Sequence, residues 1–354
     1  MKNAPDDKES PDYLRTSLAA AMTLGFKNGR FYRKARLHCI NLLLVYSRGC
    51  TASCAYCGLS GKRPGVYREK SFIRVDWPVY ELEDIIKSME EMEERKNGTK
   101  RICISMVTRK RAPQDTTEII KRIREKLDTP ISVLMAPTVS SDSDLLNWKE
   151  GGADKIGVAI DAATPELFDK YRGKGVKGPH QWETYWNTYQ KSLEIFGRDN
   201  SGIHLMVGLG ETERETAAII QRSRDMGGNT HLFSFYPEAG SILTSCSPPP
   251  IDQYRRIQLA RYLIDEDIAG ADDFTFDSED RIVGFGISLD KLQKVMDSGQ
   301  PFMTSGCPGR DGKVACNRPY ANFPPPKIRN FPFNLNTEDL ALVKSQLNID
   351  LSMS

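Results

Sequence analysis

The chain has 354 residues, enough for one large domain or two modest ones around a sizeable core. Its 49 Lys and Arg nearly balance 47 Asp and Glu, a formal net charge of +2, which argues against a protein that lives on nucleic-acid backbone. With 39% apolar and 27% charged residues, and no run approaching the roughly 20 apolar residues of a membrane helix, the composition is neither disordered nor membrane-spanning.

Residues 1–12 are polar and read as a frayed terminus lacking the apolar segment of a signal peptide, so a cytoplasmic location is expected. Helical recurrence of Leu14, Leu18, Met22 and Phe26 predicts an N-terminal helical extension over 1–36. Short apolar runs then alternate with amphipathic stretches. Strands are expected at 39–46, 101–107, 131–136, 155–160, 202–207 and 231–235. Helices are expected at 79–96, 116–127, 143–150, 165–170 with 181–196, and 213–226. Pro165 after Thr164 marks a helix start, and Thr212 with Glu215 has capping-box spacing.

Six strand–helix units predict a parallel sheet over 37–300. That is short of the eight units that close a TIM barrel, so a partial (β/α)6 TIM-type barrel is expected, with an open doubly wound sheet as the competing arrangement. A further helix, 252–265, follows Pro248-Pro249-Pro250, and the Pro- and Asn-rich residues 301–354 are expected to form an irregular C-terminal tail.

Eight cysteines in so long a chain are too few for a disulfide scaffold. Three lie together directly after the first expected strand, as Cys50-Thr-Ala-Ser-Cys54-Ala-Tyr-Cys57. Structural zinc wants four closed ligands, whereas three thiolates on a cubane leave one iron open for chemistry. This spacing and position resemble the radical S-adenosylmethionine (SAM) superfamily. The resemblance implies a 4Fe-4S cluster on Cys50, Cys54 and Cys57, with SAM bound at its open iron. Tyr56 is then expected near the adenine.

The barrel resembles the biotin synthase-like branch of that superfamily. The run Gly152-Ala153-Asp154-Lys155-Ile156-Gly157-Val158-Ala159-Ile160-Asp161 matches its fourth strand and gives Asp161 the ribose hydroxyls. Gly208-Leu209-Gly210-Glu211-Thr212 matches its motif after the fifth strand, placing Gly208, Gly210 and Glu211 by the adenine. Where the superfamily carries Gly-Gly-Glu after strand two, this chain reads Ile102-Cys103-Ile104-Ser105-Met106, and Ser105 is the candidate to hold the methionine amino group. Lys174, Lys177 and His180 fall where the branch faces the methionine carboxylate.

The tail carries Ser305-Gly306-Cys307-Pro308-Gly309 and Cys316-Asn317-Arg318-Pro319-Tyr320, which is similar to the tail of two-component lipoyl synthases. That likeness implies a second 4Fe-4S cluster and sulfur insertion into an octanoyl chain on a lipoyl carrier domain. It also implies a second radical SAM protein and an electron donor such as ferredoxin or flavodoxin. Cys39 and Cys103 lie near the starts of adjacent strands, at about 3.3 Å per residue well below the first cluster, so a returning tail predicts a set of Cys39, Cys103, Cys307 and Cys316. Cys246 is the alternate ligand. The competing readings are another biotin synthase-like radical SAM synthase or mutase, and a zinc-stabilised nucleic-acid-binding protein using Arg109-Lys110-Arg111. No membrane or nucleic-acid partner is expected.

Overall fold

The computed structural model describes residues 8–94, 98–318 and 327–349. An eight-stranded sheet runs in the order β3-β1-β2-β4-β5-β6-β7-β8. Its parallel core is β2 (Cys39–Leu44), β4 (Arg101–Ser105), β5 (Ile131–Met135), β6 (Ala153–Asp161), β7 (Ser201–Val207) and β8 (Asn229–Ser234). Every residue of β2 is buried, as expected of a parallel strand covered on both faces. These six strands are the six expected, and the order settles the arrangement as a partial TIM-type barrel with β3 and β8 at its two edges.

The amino-terminal segment differs in part from expectation. It does contain a helix, α1 (Leu18–Thr23), capped by Ser17. Its first residues, Tyr13–Thr16, form instead a strand, β1, antiparallel to both β2 and β3 (Val79–Glu81). Leu14 and Leu18 share a helical spacing, but pairing with the exposed edge of β2 satisfies the backbone of 13–16 directly. Likewise β3 takes the first residues of the expected helix 79–96, and the helix that follows is α2 (Leu82–Glu94).

The other helices sit where periodicity and caps place them: α3 (Ala112–Arg124), α4 (Asp142–Glu150), α5 (Pro165–Tyr171), α6 (Trp182–Phe196), α7 (Glu213–Asp225) and α8 (Ile251–Asp265). The Thr212–Glu215 capping box forms at the start of α7. A two-stranded hairpin, β9 (Thr275–Phe276) with β10 (Ile282–Gly284), and α9 (Leu289–Asp297) lead into the tail.

The tail is not wholly irregular. It ends in α10 (Thr337–Leu347), opened by an Asn336–Asp339 capping box. Arg255 on α8 pins it from inside, with Nη2 donating to the carbonyl of Ile328 at 3.0 Å and Nε to Gln346 Oε1 at 2.9 Å. The cysteine-bearing part returns under the strand starts: Asn317 Oδ1 accepts from the His38 amide at 3.2 Å, and Arg101 Nε donates to the carbonyl of Pro308 at 2.6 Å.

Candidate active site

The loop leaving β2 carries the first three cysteines. Backbone amides face two of the sulfurs, Ala52 N to Cys50 Sγ and Leu59 N to Cys57 Sγ, each at 3.4 Å. Gly49 (φ +59) makes the turn, and a Cβ there would run into the Tyr67 ring at 2.5 Å. Arg109 donates to the carbonyls of Gly49 and Arg48, so part of the basic run fixes this loop; Arg111 pairs with Glu9 and Asp115. Burial pushes the Cys54 and Cys57 thiols above their ordinary range. Among the described residues no three His, Cys, Asp or Glu side chains sit closely enough to share one metal ion. Three thiols opening on one cavity, two of them with a backbone amide aimed at the sulfur, fit a cubane in which three irons take one thiolate each and the fourth stays open.

The second set is brought together at the strand starts. Asn41 Nδ2 lies 3.8 Å from both Cys39 Sγ and Cys316 Sγ, and the Cys39 thiol donates to the Ile40 carbonyl at 3.9 Å. The Ser132 hydroxyl faces Cys103 and Cys307. Cys307 Sγ is 3.5 Å from His231 Nε2. The amides of Ala315 and Cys316 both donate to the Cys307 carbonyl, which holds the two tail cysteines on one tight loop. Burial pushes Cys39 up and Cys103 up to about 12, while the adjacent Cys39 thiol draws Cys316 down to about 6. All eight cysteines are free thiols. Cys246 is exposed, on the turn after β8, and does not join this set.

A cavity of about 290 Å³ connects the two sets. Cys50, Cys54 and Cys57 line it together with Cys103, Cys307 and Cys316, and Cys39 is buried just behind its wall. Leu43, Met106, Leu134, Met206 and Phe233 supply apolar wall between them.

Tyr56, Ser105, Asp161 and His180 also line this cavity. Asp161 ends β6 with φ +64, a left-handed conformation that Asp tolerates better than most residues. Its Oδ2 accepts from Tyr56 Oη at 2.6 Å and pairs with Arg172 Nη1 at 3.3 Å; both contacts fall on one oxygen. His180 Nδ1 meets Thr138 Oγ1 at 2.6 Å and Tyr185 Oη at 2.9 Å, and burial pushes its pKa down to about 2. Lys174 and Lys177 are exposed and away from the cavity.

Gly208, Gly210 and Glu211 form the turn between β7 and α7. They do not line this cavity, and Glu211 folds back to accept from the amides of Gly208 at 2.5 Å and Leu209 at 3.0 Å. Gly208 (φ +111) serves packing: a Cβ there would meet Pro249 at 2.6 Å.

Several wall residues carried no sequence signal. Arg172, after α5, donates to the carbonyls of Ala159 and Ile160 and is hydrogen-bonded to Tyr185 Oη at 3.2 Å. His204 and His231, paired across β7 and β8, meet edge-on with ring centroids 5.3 Å apart. The loop of residues 58–77 brings Phe72, Ile73, Arg74, Val75 and Trp77 to the wall. It is tied from below by buried Arg15, which donates to the carbonyls of Trp77, Tyr67 and Lys70. It is latched across to the segment after β8 by Glu238, which accepts from the Arg74 amide at 2.6 Å and Ser71 Oγ at 3.3 Å.

The family model described as the Radical SAM superfamily matches residues 44–222. No curated protein matches the chain. Among solved structures, methylornithine synthase is 15% identical, with 70% of this chain and 67% of that chain covered and a TM-score of 0.50. HydG, a maturase of the FeFe-hydrogenase, is 15% identical, with 71% and 54% covered and a TM-score of 0.51. The present chain thus spans about half of that HydG structure's length. At such identity the likeness is one of fold. No helix among the described residues is long and apolar enough to cross a membrane.

Proposed function

The chain belongs to the radical SAM superfamily, and from that premise we propose that it is a sulfur-inserting member, a lipoyl synthase component acting on an octanoyl chain carried by a lipoyl domain. The observation that carries this reading is one cavity lined by two separate thiol sets, at the strand ends and the strand starts, with an apolar wall between.

Cys50, Cys54 and Cys57 would hold a 4Fe-4S cluster with SAM, which supplies a 5′-deoxyadenosyl radical able to take hydrogen from an unactivated carbon. Cys39, Cys103, Cys307 and Cys316 would hold a second cluster, the source of the inserted sulfur. The chain's own residues do the positioning. The Asp161 oxygen not engaged by Tyr56 and Arg172 accepts from ribose hydroxyls, and Ser105 takes the methionine end. Met106, Leu134, Met206 and Phe233 pack an alkyl chain and exclude water from its reacting carbons. The loop of residues 58–77, held by Arg15 and Glu238, covers the chain once seated.

An electron donor such as ferredoxin or flavodoxin, a second radical SAM protein and a cytoplasmic setting belong to the same reading. A second reading, another radical SAM synthase or mutase, is favoured by one feature: His204, His231 and Arg318 place polar groups on a wall that an alkyl chain does not need. The two separate on anaerobic reconstitution with SAM, a reductant and an octanoylated lipoyl-domain peptide. Production of 5′-deoxyadenosine with a sulfur mass gain on the peptide supports sulfur insertion. Deoxyadenosine without that gain removes it and leaves the second reading.

A further inference from the structure

The cations nearest the deep thiols mostly have partners within the chain. Both guanidinium arms of Arg101 are chelated by Asp154, at 2.6 and 2.8 Å. Lys155 Nζ is held by the Asp199 carbonyl at 2.8 Å and Asn200 Oδ1 at 2.9 Å. Arg318 breaks this pattern. Its guanidinium lies 4.0 Å from the Phe233 ring centroid, and among the described residues its one hydrogen bond is long, 3.4 Å, to the Ser305 carbonyl. Its Nε is buried without a hydrogen-bond partner, and among the described residues no carboxylate pairs with it.

The backbone delivers this side chain to the cavity against its own preference. Arg318 has φ +44, a left-handed conformation that glycine adopts freely and a residue with a Cβ does not. The turn is imposed by Asn317, whose side chain is buried and tied to the His38 amide at 3.2 Å and the carbonyls of Arg36 at 2.6 Å and Pro332 at 3.0 Å. Thr304 Oγ1 holds the Asn317 carbonyl at 3.0 Å. With Asn317 fixed, Cys316 and Arg318 both come to line the same cavity. Strain kept at a cavity wall, where glycine would relieve it, points to use of the side chain itself.

Four thiolates outweigh the charge of a 4Fe-4S core, so such a centre is anionic and becomes more so on reduction. A cation fixed against an aromatic face, with water largely excluded, is weakly screened and favours the added electron. We propose that Arg318 is the counter-charge of the centre held by Cys39, Cys103, Cys307 and Cys316, and that it sets the reduction potential of that centre without touching substrate. The proposal rests on the two-centre reading above.

The test uses the full chain with Cys50, Cys54 and Cys57 all replaced by Ala, so that only the second set remains, reconstituted anaerobically with iron and sulfide. Iron bound in this background establishes the second centre, and an EPR-monitored titration with dithionite gives its midpoint potential. Arg318→Gln and Arg318→Gly shift that midpoint to more negative values, and Arg318→Lys restores most of the shift. Arg318→Gly, which relieves the backbone, does so with no loss of thermal stability. A centre that is present but keeps its midpoint in both neutral variants overturns the role of Arg318 and leaves the two-centre reading standing. Failure of the background protein to bind iron and sulfide overturns both.

Discussion

Tyr56 and Asp161 lie 105 positions apart and meet in a hydrogen bond of 2.6 Å from Tyr56 Oη to Asp161 Oδ2. That bond joins the cysteine loop after β2 to the end of β6, and it leaves the other Asp161 oxygen to serve a ligand.

Asp161→Ala is therefore expected to weaken SAM binding by about tenfold or more, the worth of a charge-assisted hydrogen bond, while iron on the first cluster is unchanged. Equilibrium binding of SAM to the reconstituted protein, alongside iron analysis, checks this. A fall in iron content with unchanged affinity for SAM contradicts the ribose role.

Arg172→Met leaves half-buried Asp161 without its cation and the carbonyls of half-buried Ala159 and buried Ile160 without their donor. Removing one partner of a buried pair costs about 3–5 kcal/mol. Urea unfolding of the apoprotein is expected to show a loss of that order. A change below about 1 kcal/mol means the β6 end is held by other contacts.

His180 gives a pH dependence. Burial, with Arg172 adding to it, lowers its folded pKa from 6.5 to about 2, so only the unfolded chain binds its proton between those values. Its contribution is fully present above pH 6.5 and is lost progressively as pH falls below it. At pH 5 the loss is about 2 kcal/mol relative to pH 7.5. Urea midpoints at the two pH values are expected to differ less for His180→Gln than for the wild type. Equal differences in both proteins remove His180 as the source.

Glu238→Ala removes the latch on the loop of residues 58–77. Faster tryptic cleavage at Arg68 or Arg74 is expected, with the helical circular dichroism unchanged. Cleavage at the wild-type rate means that Arg15 alone secures the loop.

The parallel core was legible because each strand is a short, strongly apolar run and each helix carries its own period and caps, as at Thr212 and Glu215. Cys50, Cys54 and Cys57 were legible because they are local: one loop carries all three. Arg172, His204 and His231 were not, since their approach to the site is made by strand register, as where His204 stands opposite His231. β1 was missed because a few residues fit a helix or a strand alike until an unpaired edge is known to exist. For α10 the Asn336–Asp339 cap was present in the sequence but was obscured by the Pro- and Asn-rich run before it.

The central claim is that two thiol sets bind two clusters on one cavity. Iron and acid-labile sulfide after anaerobic reconstitution test it in three proteins: the wild type, the variant lacking Cys50, Cys54 and Cys57, and the variant lacking Cys39, Cys103, Cys307 and Cys316. About eight irons per chain are expected in the first and about four in each of the others. About four in the wild type, undiminished when the second set is removed, or stoichiometric zinc in place of iron, contradicts the account.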